Sequence, residues 1–283
     1  MNLKVILMTK DDKELIEPWL LYHGERVGYE NLHIVDDSTD LDIINFYKNH
    51  AHLNFNLHRD LSGHRNLNNM EGCFAEIQKS ISENDVYFLK MDTDEFLVHI
   101  EDEKISCDIS QVKKAIDIEN ENFSIPNDFI NAKLDYLKSK NTNLLEGLHF
   151  YCNKRGNYKR TFSKSEHINL GGHVKSLTNK SKNLNVLHFR YKRFEDHFDL
   201  AKKVCVSHNY INEYDDDQTI IKKLSVFSGP SCNSNHKSKF VHDSLLHKDF
   251  KEKYYQEHNN KSQVIFYDGL HNWYKEKSDQ LAL

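Results

Sequence analysis

Asp92 and Asp94 stand two residues apart where an apolar run ends, in Val86-Tyr-Phe-Leu-Lys-Met-Asp-Thr-Asp-Glu-Phe-Leu-Val98. Residues i and i+2 of an extended chain point the same way, so both carboxylates can converge on one hard cation. A calcium EF-hand loop does not fit, because Phe96 and Leu97 occupy positions where that loop needs an oxygen ligand and a glycine. A solvated acidic turn is the plainer alternative, but apolar sequence resumes at once with Phe96-Leu97-Val98. A second acidic group, Asp36-Asp37-Ser38-Thr39-Asp40, follows Leu32-His33-Ile34-Val35. Helix capping by Ser38 or Asp40 accounts for part of it and leaves the two leading carboxylates open to a ligand. His188 follows the apolar run Leu184 to Leu187, and a neutral imidazole suits manganese beside carboxylates. His173, after Gly171-Gly172, is a weaker candidate of the same kind.

The elements that must position these groups alternate. Leu3 to Thr9 reads as a strand, and a helix through Leu15, Ile16, Trp19, Leu20 and Val27 follows, with Pro18 in its first turn. Leu32 to Val35 is a second strand, Leu41 to Asn49 a helix, Leu53 to Leu57 a third strand and Met70 to Ser82 a helix. Val86 to Met91 is the next strand, so Asp92 and Asp94 fall at its carboxyl end. Such alternation predicts an α/β fold: a Rossmann-like, mostly parallel sheet flanked by helices, which binds ligands at the carboxyl edge. No G-x-G-x-x-G follows the first strand and no G-K-[ST] occurs, so nucleotide phosphates would need another counter-charge.

Composition narrows the partners. The net charge is −5 with basic residues dispersed along the chain, which argues against nucleic acid. Mean hydropathy is −0.73, and no apolar run is long enough for a membrane span. The amino-terminal segment does not resemble a signal peptide, so a cytoplasmic location is expected, with peripheral membrane contact left open. The five cysteines lack any C-x-x-C pair and read as reduced thiols.

With these residues in view the chain resembles a GT-A glycosyltransferase of the family 2-like group. The resemblance rests on Lys10-Asp11-Asp12 with Trp19-Leu20-Leu21-Tyr22-His23, on Ile34 to Asp40, and on the D-x-D-E-F segment Asp92 to Phe96. Leu187 to Glu195 resembles the group's late H-Y-x-x-[KR]-[ST]-x-E segment, with Phe189 where tyrosine is usual and a shifted register after it. The resemblance implies a GT-A fold and transfer of a sugar from a nucleoside-diphosphate donor, UDP-linked rather than GDP-linked, to a hydroxyl of a glycan or glycolipid in polysaccharide biosynthesis. It further implies an inverting reaction that depends on Mn2+ or Mg2+. Thr9, Lys10, Asp36, Asp37 and Asp92 would then contact the donor, and Asp92, Asp94 and His188 would hold the metal. Arg65, in the polar segment before the Met70 helix, would contact phosphate or stand free in solvent. The inverting base is not placed by spacing. Glu146, Glu195 and Asp196 are candidates, and Asp128 remains open.

Beyond residue 100 the pattern changes. Glu101 to Asn122 carries a weak helical period, and Leu144 to Ile168 supplies extended stretches with Phe150, Tyr151, Lys154, Arg155, Tyr158, Lys159 and Arg160. These read either as an acceptor-binding region, where rings stack on sugars and basic groups bind anions, or as an exposed hairpin. Helices are expected from Phe194 through Val204, at Asp217 to Val226 and at Phe240 to Tyr255, with a loop around Ser228-Gly229-Pro230-Ser231. The expected organisation is a catalytic domain over residues 1–212, with a nucleotide half of about 1–100 and an acceptor half of about 101–212, then a helical extension over 213–283. Two other functions fit the D-x-D spacing: a metal-dependent phosphohydrolase, from which Glu95-Phe96 departs, and a noncatalytic glycan-binding protein on the same fold.

Overall fold

The computed structural model describes residues 2–59, 67–102, 104–119, 123–126, 128–139, 143–146, 148–152, 158–163, 173–174, 179–227, 236–261 and 264–281. Arg65, Lys154, Arg155, Gly171, Gly172 and the loop at Ser228 to Ser231 lie outside them. The chain divides into two compact units, residues 1–131, 147–190 and 265–283 in the first and 132–146 and 191–264 in the second. This division does not run at residue 212: the last helix belongs with the first unit, and residues 191–212 belong with the second.

The first unit opens with β1 (Asn2–Thr9), α1 (Ile16–Val27), β2 (Leu32–Asp36), α2 (Leu41–Asn49), β3 (Asn56–Arg59), α3 (Leu67–Ser80) and β4 (Val86–Met91). The chain continues with β5 (Glu95–Glu101), β6 (Lys104–Ser106), α4 (Ile109–Ile118), β7 (Ser124–Pro126), β8 (Phe129–Ala132, whose last residue counts with the second unit), β9 (His149–Cys152), β10 (Tyr158–Ser163), β11 (His173–Val174) and β12 (Leu184–His188). The first sheet runs β3-β2-β1-β4-β10-β11, with β7 beside β10. Its first four strands are parallel and β10 is antiparallel to β4. The second sheet runs β13-β9-β8-β12-β5-β6, where β13 is Val264–Phe266. The α/β architecture with flanking helices and a helical carboxyl-terminal stretch is therefore present, but the sheet is mixed rather than mostly parallel, since β7, β10 and β11 add antiparallel pairings to the parallel β3-β2-β1-β4 core.

Burial explains the placement. α3 covers one face of the sheet, where Phe74 and Ile77 join Ile6, Val35, Val86, Phe88 and Phe162 in one apolar cluster. α1 lies against β1, β2 and β5, and Trp19, Leu20 and Tyr22 are fully buried. Pro18 stands in the first turn of α1, where its missing N–H costs nothing. Asp40 caps α2 by accepting from the Asp42 N–H, as its place in the sequence suggested.

Two expectations are corrected. The third strand is Asn56–Arg59, because residues Ala51–Leu53 form a 3-10 turn and Asn54 adopts a left-handed φ of 60°. The helix expected over Phe240 to Tyr255 is two helices, α7 (His236–Leu246) and α8 (Phe250–Asn259), in the second unit with α5 (Phe194–Ser207) and α6 (Asp217–Leu224). One straight helix would set Phe240 and Phe250 about 15 Å apart along its axis. Here their ring centroids are 5.5 Å apart and both rings pack on Phe194, which requires the break.

The chain's last helix, α9 (Gly269–Leu281), completes the first unit through Arg26. The buried Arg26 guanidinium lies 3.5 Å from the Tyr22 ring centroid and 5.1 Å from that of Trp273. It donates to the Tyr22 carbonyl at 2.9 Å and twice to the Cys107 carbonyl. Trp273 Nε1 donates to Glu25 at 2.9 Å. Arg26→Ala strips charge-assisted bonds and a cation–π contact together, so a stability loss of about 3 kcal/mol is expected in urea unfolding. A loss within about 0.5 kcal/mol would show that Arg26 does not hold α9.

Candidate active site

The site lies in the first unit, where three adjacent parallel strands end side by side. β2, β1 and β4 deliver Asp36, Thr9 and Asp92 to the same edge, with Thr9 paired in register to Asp36. The strand order reverses between β1 and β4, since β2 and β3 lie on one side of β1 and β4 on the other. Open α/β sheets form a ligand crevice outside such a reversal. Thr93 Oγ1 donates to Asp12 Oδ2 at 3.1 Å and so links the turns that follow the two strands.

The D-x-D-E-F turn is held by its aromatic residue. Phe96 is fully buried, with Tyr22, His23 and Phe189 ring centroids at 5.4, 5.7 and 5.3 Å. Tyr22 Oη donates to the Leu97 carbonyl at 2.5 Å. His23 is neutral, its pKa lowered to about 3 by burial; Nδ1 lies 3.0 Å from the Trp19 carbonyl, and Nε2 accepts from the Leu97 N–H. The Trp-x-x-Tyr-His segment thus anchors the acidic turn from behind. Within the turn the Glu95 N–H donates to the Asp92 carbonyl at 3.1 Å, and the Phe189 N–H to the Asp94 carbonyl at 2.7 Å.

The three carboxylates of the turn have different surroundings. Glu95 is fully buried, with Oε2 2.8 Å from Lys159 Nζ and accepting from the Asp92 N–H at 2.9 Å. Asp92 pairs with Lys159 at 3.3 Å and with Lys90 at 3.6 Å. Its side chain is the most exposed of the three at 40%, and these ammonium groups hold its carboxyl well below the usual range. Burial raises Glu95 above the usual range against the pull of Lys159. Asp94 Oδ2 lies 3.5 Å from His188 Nε2, and both side chains keep some exposure, 26% and 19%. Burial would lower His188, but Asp94 beside it and Glu95 behind it raise its pKa overall.

Donors about 2.1 Å from one divalent ion at right angles stand about 3 Å apart. Asp94 Oδ2 and His188 Nε2 fit that spacing as a two-donor edge. Asp92 fits less well as a direct ligand, because two ammonium groups already adjoin it. Among the described residues no group of three or more His, Cys, Asp and Glu is arranged to hold a metal.

At the neighbouring strand ends Asp36 is fully buried, accepting from the Ser38 N–H at 2.7 Å and lying 3.4 Å from Arg59. Asp37, nearly as buried, lies 3.2 Å from Lys10 Nζ, and its N–H donates to the Thr9 carbonyl. Asp11 takes a left-handed φ of 52°, which aspartate tolerates. Its N–H donates to Ser38 Oγ, and its carboxylate accepts from the Thr39 and Asp40 N–H groups. The Thr9 hydroxyl is buried and has no hydrogen-bond partner among the described residues.

The candidates for a base are placed differently. Glu146, Glu195 and Asp196 belong to the second unit, each within its own local contacts. Glu195 pairs with Lys251 and Asp196 with Arg193, while Glu146 is exposed after a turn from Asn143. Asp128, at the start of β8 in the first unit, donates its N–H to Asn185. Lys159, expected in an acceptor-binding region or an exposed hairpin, is instead buried and paired with Asp92 and Glu95, while Lys90, Glu95 and Arg59 were not singled out for the site by sequence. Only Lys90 and Glu95 carried a local signal, being neighbours of the aspartate pair.

The chain matches no protein-family model and no curated protein sequence. Among solved structures it is similar to S. aureus TarS 1-349, at 14% identity over 88% of this chain and 72% of that one, with a TM-score of 0.37. The same TarS segment in complex with UDP gives 13% identity, the same coverage and a TM-score of 0.36. A further TarS structure, of which the match covers 44%, gives 14% identity and a TM-score of 0.33.

Proposed function

We propose that this chain is a glycosyltransferase that takes a sugar from a nucleoside-diphosphate donor, UDP-linked, and passes it with inversion to a hydroxyl of a glycan or glycolipid. The observation that carries this reading is the convergence of Thr9, Asp36, Asp37 and the Asp92 to Glu95 turn at one sheet edge, beside the strand-order reversal. Asp37 and the Thr9 hydroxyl face the base and ribose, since a carboxylate accepts from a ring N–H or a sugar hydroxyl. Lys10, partly exposed, covers Asp37 until the donor replaces it. Asp36 holds the turn through Ser38 and Arg59. Asp92, fixed by its lysines, accepts from ribose.

Asp94 and His188 would hold Mn2+ or Mg2+, which when bound neutralises charge on the leaving nucleoside diphosphate. In the reaction the acceptor oxygen bonds to the anomeric carbon as the bond to the diphosphate breaks. The acceptor proton passes to a carboxylate acting as general base.

A thermal-shift screen of nucleotide sugars with and without manganese tests the reading, because a ligand that binds only the folded state raises the melting temperature. Stabilisation by UDP-sugars is expected. Turnover of a simple phosphate ester with no UDP-sugar response would favour a phosphohydrolase, and glycan binding without nucleotide binding a noncatalytic lectin. Asp37→Ala should weaken UDP about tenfold or more, the equivalent of about 1.4 kcal/mol, with manganese binding little changed. Equal UDP affinity in calorimetry would return Asp37 to a purely structural role in its turn.

A further inference from the structure

Lys10 stands between the two acidic turns of the crevice. Register pairs Thr9 with Asp36 on one side of β1 and Leu7 with Met91 on the other. The residue just after Thr9 therefore has the Asp37 turn to one side and the Asp92 to Glu95 turn to the other. Thr93 Oγ1 reaches Asp12 Oδ2 at 3.1 Å, so the second turn closely adjoins the segment that carries Lys10. Neighbouring strands lie about 4.8 Å apart, and a lysine side chain spans about 6 Å on a flexible stem. One lysine can serve either side. Its Nζ here lies 3.2 Å from Asp37 Oδ2, with 32% of the lysine side chain exposed against 2% of the aspartate. An ion pair with one partner open to solvent costs little to exchange.

We infer that Lys10 is a relocating counter-ion: it seats on Asp37 while the crevice is empty and moves to the diphosphate when the donor's base and ribose take Asp37. The inference rests on the transferase reading and adds selectivity to it. A neutral nucleoside must break the pair of Lys10 with Asp37 and offers the ammonium nothing in exchange. A nucleoside diphosphate breaks the same pair and accepts the ammonium on its phosphate oxygens, toward the Asp92 to Glu95 turn. Free nucleosides are thus rejected by an ion pair they cannot replace, rather than by shape. The same lysine supplies a counter-charge for the diphosphate in a chain that has neither G-x-G-x-x-G after its first strand nor G-K-[ST].

The test compares uridine with UDP on the full chain, by calorimetry at constant ionic strength with magnesium throughout, and with near-ultraviolet circular dichroism to confirm folding. Lys10→Met removes the competitor for Asp37, so uridine is expected to bind about two- to fivefold more tightly than to the native protein. UDP loses its ammonium partner and is expected to bind about tenfold more weakly. The other contacts of Asp37 are common to both proteins and drop out of the comparison. Lys10→Arg keeps the charge and should move both ligands back toward their native affinities. A lysine with only a structural role would shift both ligands in the same direction. Uridine unchanged or weaker in folded Lys10→Met, or UDP unchanged or tighter, overturns the inference. Should that variant fail to fold, Lys10→Gln is read by the same two criteria. Native protein that binds neither uridine nor UDP defeats the transferase reading and the inference with it, while native binding without the two opposite shifts defeats the inference alone.

Discussion

Asp94→Ala is expected to cut manganese-dependent UDP binding by more than about 100-fold while the protein stays folded. The lower bound follows from metal sites in general, where losing only an outer partner of a ligand costs about 10–100-fold in affinity. That the fold survives follows from how Asp94 is used. Its structural contact runs through the backbone carbonyl, which accepts from the Phe189 N–H, and alanine keeps that carbonyl. Its carboxylate is partly exposed and faces His188. Asp92→Asn should act differently. It weakens the pairing with Lys90 and Lys159, so donor binding falls while the manganese requirement changes less. Calorimetric titration of UDP at several manganese concentrations, with melting temperatures of each protein, separates the two. Native metal dependence in Asp94→Ala would remove Asp94 from the cation site.

Much of this crevice was legible because its parts are local. The apolar run Val86–Met91 followed by Asp92 and Asp94 marks a strand end with its carboxylates, and Leu32 to Asp37 repeats the pattern. Asp40 caps α2 and Pro18 falls in the first turn of α1 by rules that need only neighbouring residues. Lys159 was hidden for the opposite reason. It meets Asp92 across 67 positions of sequence, through an antiparallel pairing of β10 with β4 that no local period records. The sequence placed Lys159 among basic and aromatic residues that suit an acceptor region or an exposed hairpin, and held no sign of its pairing with the acidic turn. The two helices α7 and α8 were read as one, over Phe240 to Tyr255. Only the convergence of Phe240, Phe250 and Tyr254 on Phe194 decides otherwise.

His188 links pH to both stability and cation binding, and the two responses run in opposite directions. Its folded-state pKa is raised, because Asp94 and Glu95 outweigh the effect of burial. A raised pKa contributes stability that is fully present below the unfolded value of about 6.5 and is lost as pH rises through the folded value. The stability advantage of ligand-free native protein over His188→Gln should therefore be greatest below about pH 6.5 and shrink above it. Metal binding needs the lone pair that the proton occupies, so manganese affinity should rise over the same interval. The raised pKa moves the midpoint of that rise above the ordinary histidine value. His188→Gln should flatten both curves, lowering stability on the acid side and removing the pH-dependent part of manganese affinity. A histidine with only a packing role would lower stability equally at every pH and leave the shape of the manganese curve alone. Urea unfolding and manganese titration from pH 5.5 to 8.5 on both proteins measure the two responses, and parallel manganese curves would take His188 out of the cation site.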